Sequence, residues 1–159
     1  MQSDKQSLRL KNQLCFPIYL CSKEIIRRYV PLLKKLDLTY TQYIVMMYFW
    51  ENKQSNVRNL GKALLLDPST LTPLLVKLEA KGFVTLEADP ADKRKQRICL
   101  TEHCLRFCRE NDSRSQQLMA QMFHGIPQED ILTTIRTIMQ MEKQLGGLLP
   151  GKQEEETDK

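Results

Sequence analysis

The sequence predicts a mainly helical (α+β) fold with one β-hairpin. Apolar residues recur every three or four positions in several segments, which is typical of amphipathic helices. Capping and helix-breaking residues bound these segments. Two short stretches with strand-like composition, FVTLE and QRICL, flank the charged loop ADPADKRK, and this arrangement indicates a hairpin.

The first predicted helix begins close to Cys15. Its apolar face follows a spacing of three or four residues through Leu14, Ile18, Cys21 and Ile25. Proline is tolerated only in the first turn of a helix, so Pro17 indicates that the helix begins at about Cys15–Phe16. Pro31 is expected to end this helix or to kink it.

Three more helices are predicted before the hairpin. Thr39 and Gln42 have the spacing of a capping box and open the second helix. A short third helix lies within VRNLGKALL. Asp67 as the N-cap and Pro68 at the first helical position open the fourth helix, and Gly82 ends it with a left-handed residue.

Two helices follow the hairpin. Thr101 is suited to cap a long helix over roughly 102–123. Pro127 opens a last helix, which the glycine pair Gly146 and Gly147 ends. The predicted order is therefore four helices, a hairpin and two helices.

The chain has the length of one domain, with 159 residues of which 42% are hydrophobic. We expect a flexible N-terminus at 1–12, a folded domain at 13–148 and a disordered acidic tail at 149–159. The whole chain carries a charge of +5 although its tail is acidic. A basic body suits a polyanionic partner, while a well-solvated surface would give the same charge.

Several classes of protein are not indicated. No apolar run approaches the roughly 18 residues of a membrane span, and no secretory signal is evident, so a cytoplasmic protein without a membrane partner is expected. Five cysteines without CxxC spacing do not indicate a disulfide framework. We find no Ser/His/Asp set, phosphate loop or paired carboxylates, which predicts neither an enzyme nor a cofactor.

Two short helices followed by a basic hairpin have the order of a winged helix-turn-helix. In that arrangement the second helix reads the major groove of double-stranded DNA, and the hairpin, or wing, reaches phosphates or the minor groove. The candidate DNA-binding residues are Ser69, Thr70, Thr72 and Lys77 on the helix, and Lys93, Arg94, Lys95 and Arg97 on the wing. Taken singly, these residues also fit helix capping and a solvated loop, and it is their order that indicates DNA binding.

The same stretch resembles the MarR family of regulators. Asp92-Lys93-Arg94 matches the DxR of the family's wing, Ile98-Cys99-Leu100-Thr101 resembles the segment that follows it, and the likeness extends over about residues 10–145. The resemblance implies that Arg94 enters the minor groove and that Asp92 holds it in place. It also implies that additional N- and C-terminal dimerisation helices join two chains into a homodimer.

Within that family, NQLCFPIYLCSKEIIRRYVPLLKKLDLTYTQYIVMMYFWE is similar to the organic hydroperoxide resistance regulators. Cys15 matches their peroxide-sensing cysteine, and Tyr19, Tyr29 and Tyr40 match tyrosines of that group. The resemblance implies a repressor that is released from a pseudo-palindromic operator when an organic hydroperoxide oxidises Cys15.

Elementary chemistry is consistent with this role. A thiolate attacks the peroxide O–O bond, and a helix N-terminus favours the thiolate. Tyr19 follows Cys15 by four residues and shares its helical face. Tyr29 is 14 residues from Cys15, about 21 Å along a straight helix, so it can reach only the Cys15 of an antiparallel partner.

Other interpretations stay open at this stage. A cysteine among apolar residues is often an inert core thiol, and this applies to Cys15 and Cys21. His103, Cys104 and Cys108 form a weak candidate for a metal site, because an i, i+4 cysteine pair can hold a metal. A second alternative is a repressor that is relieved by an aromatic ligand or by a metal. A winged helix that binds protein rather than DNA is the third alternative, and poor retention on heparin would favour it.

Two departures from the family pattern also lead to expectations. Cys104 stands where the family usually has glycine, which leaves open a different start for the helix after the hairpin. Pro73 lies inside the fourth helix and removes one backbone hydrogen bond, which predicts a kink.

Overall fold

The computed structural model describes residues 9–88, 90 and 96–147. The helices are α1 (Cys15–Lys35), α2 (Tyr40–Asn52), α3 (Val57–Leu64), α4 (Pro68–Ala80), α5 (Glu102–Met122) and α6 (Gln128–Gly147), and the strands are β1 (Gln54–Asn56), β2 (Val84–Ala88) and β3 (Gln96–Leu100). A single 3-10 turn, Leu10–Asn12, precedes α1.

The chain divides into two compact units, and the boundary between them falls inside α5. The described part of the first unit comprises residues 9–88, 90 and 96–119 and contains the sheet, helices α1 to α4 and most of α5. The described part of the second, 120–147, contains the end of α5 and all of α6. No helix among these described residues is long and apolar enough to cross a membrane.

The predicted helices are confirmed in number and order. Helix α1 begins at Cys15, as Pro17 indicated. The capping box of α2 is complete: the Gln42 amide N–H donates to the Thr39 hydroxyl at 3.2 Å, and the Thr39 amide donates to the Gln42 side-chain carbonyl at 2.9 Å. Two of the four unsatisfied N–H groups expected near a helix start are thereby bonded.

Two helix predictions need correction. Helix α1 continues through Pro31 to Lys35, so the alternative that this proline ends the helix is wrong. Burial of Leu33, two residues later, holds the last turns of α1 against the core despite the missing hydrogen bond. Asp67 has the extended backbone of an N-cap, but its side chain makes no capping hydrogen bond. Instead, the backbone carbonyl of Asp67 accepts from the amides of Thr70 and Leu71 at 3.0 Å each.

The hairpin is confirmed, and a third strand joins it. The sheet is antiparallel with the order β1-β3-β2. Strand β1 was not predicted because three polar residues are too short to show an alternating pattern. Its register pairs Ser55 with Ile98, so the strand connects the end of α2 to the middle of the wing.

The core of the first unit lies where the helices meet the sheet. Its fully buried side chains include Val45, Phe49, Leu60, Leu71, Leu78 and Ile98. Gly61 marks the closest approach of α3 to the start of α4. A Cβ atom there would lie 2.7 Å from the Leu66 carbonyl oxygen and 3.3 Å from Leu71 Cδ1, so the helix-turn-helix needs glycine at this position.

The connection from α4 to the hairpin also follows the prediction. Gly82 has a φ of +71°, the left-handed conformation expected after the end of a helix. At the far end of the hairpin, the Thr101 hydroxyl accepts a hydrogen bond from the Cys104 amide at 3.1 Å. Helix α5 therefore begins at Glu102 with the predicted cap, although Cys104 replaces the usual glycine.

Candidate functional site

Helix α4 presents small polar side chains to solvent. Its buried stripe of Leu71, Leu75 and Leu78 attaches it to the core, while Ser69 and Thr70 are exposed in its first turn. Thr72 is exposed as well, but its hydroxyl donates to the Pro68 carbonyl at 2.8 Å. The hydrogen of Thr72 is therefore already used, and this side chain offers a partner only its lone pairs.

The other end of α4 is connected to the turn between α1 and α2. The Lys81 ammonium group pairs with the Asp37 carboxylate at 2.9 Å and also contacts the Asp37 backbone carbonyl. Lys77 is exposed and lines the same cavity as Tyr40 and Lys81. Lys77 is thus about 13 Å along the helix from Pro68, near the tyrosine-bearing start of α2.

The base of the wing is ordered by charge pairing. Arg97 on β3 lies directly across from Glu87 on β2, and their guanidinium and carboxylate groups are 3.1 Å apart. The Leu86 amide donates to the Glu79 carboxylate of α4 at 3.1 Å, which joins the wing to that helix. The tip residues Asp92, Lys93, Arg94 and Lys95 lie outside the described residues, so their roles stay predictions.

Cys15 is an exposed thiol at the first residue of α1. Its Sγ lies 3.9 Å from the Gln13 side-chain carbonyl oxygen. Tyr19 is 56% exposed, and the Lys23 ammonium group lies 5.6 Å from the centroid of its ring. Among the described residues of the single chain, no tyrosine hydroxyl is hydrogen-bonded to Cys15, so the expected Cys–Tyr set is not assembled within one chain.

Two of the predicted tyrosines come together, and a third, unpredicted one joins them. The ring of Tyr29 lies 5.6 Å from that of Tyr40 and 5.4 Å from that of Tyr43. The Tyr43 hydroxyl is also 3.0 Å from the Ser115 hydroxyl on α5. Sequence reasoning missed Tyr43, although its position one turn after Tyr40 on the same face was a usable signal.

Tyr29, Tyr40 and Tyr43 form a tyrosine cluster. Burial is the largest cause of the pKa shifts of Tyr40 and Tyr43 in this cluster. Loss of solvent raises the pKa of Tyr40, and the neighbouring Tyr29 adds to the effect. Burial also raises the pKa of Tyr43, while its hydrogen bond with Ser115 opposes the shift. Tyr40 and Tyr43 therefore keep their protons at neutral pH and can serve as hydrogen-bond donors.

The Cys104 and Cys108 thiols face each other on α5, with their sulfur atoms 4.0 Å apart. Cys104 is fully buried and Cys108 is partly exposed. His103 does not join them in a metal site, because its ring stacks on Phe83 at 5.2 Å with an angle of 8° between the planes. In the part of the chain that the structure describes, no group of three or more metal-ligating side chains is found.

The sequence and the fold resemble those of known transcriptional regulators. A family model described as transcriptional regulator SarA/Rot matches residues 27–111, which is more than half of the chain. The chain belongs to the SarA/Rot family of transcriptional regulators. The organic hydroperoxide resistance transcriptional regulator of Bacillus subtilis is 40% identical over 102 residues, 64% of this chain and 69% of that protein. The predicted likeness to MarR-family regulators near the organic hydroperoxide group is thereby confirmed.

Two staphylococcal relatives extend the comparison of this SarA/Rot-family chain. SarZ of Staphylococcus haemolyticus is 48% identical over 93 residues, 58% of this chain and 63% of SarZ. The matched segment thus spans slightly less than two thirds of SarZ. The crystal structure of AbfR of Staphylococcus epidermidis is 31% identical, covers 89% of this chain and 97% of its own, and superimposes with a TM-score of 0.77. AbfR has also been solved bound to DNA in its reduced and overoxidized forms.

Proposed function

We propose that this regulator binds a pseudo-palindromic DNA duplex as a homodimer and is released when an organic hydroperoxide oxidises Cys15. The observation that carries the redox part is the placement of Cys15: an exposed thiol at the first residue of a 21-residue helix. The DNA-bound structures of AbfR, a relative that covers most of this chain, support the DNA part.

The surface of α4 supports DNA recognition. Ser69 and Thr70 project from the first turn of a helix whose opposite face is anchored in the core. In a winged helix-turn-helix, this first turn reaches the base edges of the major groove. Thr72, with its hydrogen already bonded to Pro68, acts as an acceptor toward a base amino group.

The chemistry proposed at Cys15 needs only the hydroperoxide. The thiolate attacks one peroxide oxygen, an S–O bond forms and the O–O bond breaks. The leaving alkoxide takes up a proton and departs as an alcohol, while Cys15 becomes a sulfenic acid. Cys15 is the first residue of α1 and therefore lies at the positive end of the helix dipole.

The tyrosine cluster supplies a reason for dimerisation. Helix α1 is continuous from Cys15 to Lys35, so Tyr29 lies about 21 Å along the axis from the thiol of its own chain. In an antiparallel pair of α1 helices, the cluster of one chain approaches Cys15 of the other. Protonated Tyr40 and Tyr43 would then donate hydrogen bonds that stabilise the thiolate.

The test compares DNA binding of the wild type and Cys15→Ser before and after oxidation. The duplex is selected from a random-sequence pool by the reduced wild type, and cumene hydroperoxide is added at one equivalent to limit overoxidation. We expect both reduced proteins to bind, and only the wild type to be released by the hydroperoxide. Cys21→Ser, which removes an exposed thiol on the same helix, is the matched control and should behave as the wild type.

A second variant tests the tyrosines separately from the thiol. Tyr29→Phe removes one hydroxyl from the cluster and should slow release by hydroperoxide while leaving DNA affinity nearly unchanged. Hydroperoxide-dependent release of Cys15→Ser would show that the sensor lies elsewhere in the chain. Failure of the reduced wild type to select any duplex would contradict the DNA-binding proposal itself.

A further inference from the structure

A largely apolar cavity of about 260 Å³ lies between α1, α2 and α5. Leu33, Met46, Trp50 and Phe107 are among the side chains that line it. A dry apolar cavity of about 150 Å³ already accommodates benzene, so this space is large enough for a small ring compound. All of its lining residues belong to the first compact unit.

One reactive group lines this cavity. The partly exposed thiol of Cys108 contributes to its wall, and the buried Cys104 thiol lies 4.0 Å behind it on the same helix. The hydrogen bond from Cys104 lowers the pKa of Cys108, although burial opposes this. The same bond and burial raise the pKa of Cys104, which therefore remains the proton-bearing partner.

Polar side chains also line the cavity. The hydroxyls of Tyr43 and Ser115 are 3.0 Å apart, so one donates to the other and a single hydrogen of the pair remains for a ligand oxygen. Arg109 and Asp112 are the oppositely charged side chains of the lining, and they bring no net charge to it. An apolar space with a few hydrogen-bond donors is typical of sites for small organic ligands.

We propose that Cys108 is a covalent modification site for small, one-ring α,β-unsaturated carbonyl compounds that enter this cavity, with Cys104 as the positioning residue. The cavity shares Tyr43 with the tyrosine cluster, but its reactive thiol is Cys108, so the proposal does not require oxidation of Cys15. A reactive compound can then modify the chain at a second cysteine, in the cavity between α1, α2 and α5.

The reaction is an addition without an oxidant. The Cys108 thiolate attacks the β-carbon, a C–S bond forms, and the electron pair of the C=C bond moves to give an enolate. The enolate carbon takes one proton from water, which balances the proton that Cys108 released when it ionised. Cys104 keeps its proton throughout and holds the sulfur of Cys108 by a hydrogen bond.

The test uses the full chain carrying Cys15→Ser, so that the proposed peroxide-sensing thiol does not compete. 2-Cyclohexen-1-one is the apolar ring probe, iodoacetamide is a small polar probe, and peptide mass spectrometry gives the rate at each cysteine. Exposed Cys21 is the internal reference. We expect Cys108 to react faster than Cys21 with cyclohexenone, because the cavity holds the ring next to the Cys108 thiol.

Two pairs of variants separate the cavity from intrinsic thiol reactivity. Met47→Trp places a large ring in the cavity lining and should lower the Cys108 rate with cyclohexenone more than with iodoacetamide. Met119→Trp, at an exposed position of α5 outside the lining, should change neither rate. Cys104→Ser retains a hydrogen-bond donor and should preserve the Cys108 rate with both probes, whereas Cys104→Ala should lower it.

Circular dichroism of each variant shows whether it is folded, and only folded variants are compared. Equal rates at Cys108 and Cys21 with cyclohexenone would overturn the proposal. So would an unchanged cyclohexenone rate in Met47→Trp, because the cavity would then play no part. Equal Cys108 modification rates in Cys104→Ser and Cys104→Ala would show that Cys104 has no positioning role.

Discussion

The need for glycine at position 61 depends on an atom that lies outside its own helix. Gly61 stands in the middle of a helix, where glycine usually weakens the structure, yet a Cβ atom there would meet the Leu66 carbonyl oxygen at 2.7 Å. Leu65, four residues later, adopts a left-handed φ of +52° although it is not glycine. The helix-turn-helix thus uses one required glycine and one strained leucine within a single turn.

The raised pKa values of Tyr40 and Tyr43 predict a loss of stability at alkaline pH. Folded chains keep phenolic protons that unfolded chains release above the ordinary value of 10.0, so this stability is fully present below pH 10.0 and falls as the pH rises through the higher folded values. Urea unfolding followed between pH 8 and about 11 measures this loss. Tyr43→Phe should make it less steep, and an identical pH profile in that variant would contradict the assignment.

At the scale of elements, Thr101 joins three parts of the winged domain. Its hydroxyl donates to the Gly82 carbonyl at 2.6 Å, directly after α4, and accepts from the Cys104 amide at the start of α5. Its amide donates to the Phe83 carbonyl at 3.2 Å. The end of α4, the hairpin and the start of α5 are therefore connected at one side chain.

We predict that Thr101→Val lowers the free energy of unfolding by about 1–2 kcal/mol, the usual cost of losing an N-cap. Valine has nearly the same shape but neither donates to Gly82 nor accepts from Cys104. Thr101→Ser keeps the hydroxyl and should lose much less. Urea unfolding of the three proteins measures the difference, and equal stabilities of the Val and Ser variants would show that the hydroxyl does not matter.

The wing as an element is expected to contribute to DNA affinity. Arg94→Ala should weaken binding to the selected duplex by about 1–3 kcal/mol without unfolding the protein. Lys23→Ala, which removes one exposed positive charge from α1, is the matched control. Fluorescence anisotropy at moderate salt measures both affinities. Equal effects of the two substitutions would mean that only net charge matters, and the specific role of Arg94 would be wrong.

At the scale of the whole molecule, two helices carry apolar surface that the single chain leaves exposed. At the start of α1, Leu14 and Ile18 are 58% and 38% exposed beside Cys15. On α6, the exposed apolar positions include Leu132, Ile135, Ile138 and Met139. Soluble monomers rarely expose large contiguous apolar patches, so these helices are expected to meet a second copy of the chain.

We predict a dimer at micromolar concentration that Ile135→Glu converts to a monomer. The residue is 47% exposed in the single chain, so a charge is tolerated in a folded monomer but not in an apolar interface. Gln140→Glu, at an exposed polar position of the same helix, should leave the dimer intact. Light scattering measures the mass, and a monomeric wild type would contradict the prediction.

The DNA affinity of Ile135→Glu should fall together with the dimer, because a monomer contacts only one half-site. The two half-sites are expected about 10–10.5 base pairs apart, or a multiple of that spacing. Unchanged affinity in a monomeric variant would contradict the two-site arrangement.

The sequence by itself determined the order of the six helices, the hairpin and most of the caps. These features depend on neighbours within a few residues: the capping box at Thr39 and Gln42, Pro68 at a helix start and the left-handed Gly82 all act locally. For the same reason, the position of Cys15 at the start of α1 followed from Pro17 and the helical period, whereas its exposure did not.

Only the tertiary structure decided which distant residues meet. Strand β1 exists because β3 pairs with it, Tyr43 joins Tyr29 through the packing of α1 on α2, and His103 is held by Phe83 instead of the two thiols. Such contacts join residues that are far apart in the chain, and the free energy of packing selects them over local preference. For the same reason, α1 continues through Pro31: the burial of Leu33 stabilises the last turns of the helix, although the proline by itself favours a break.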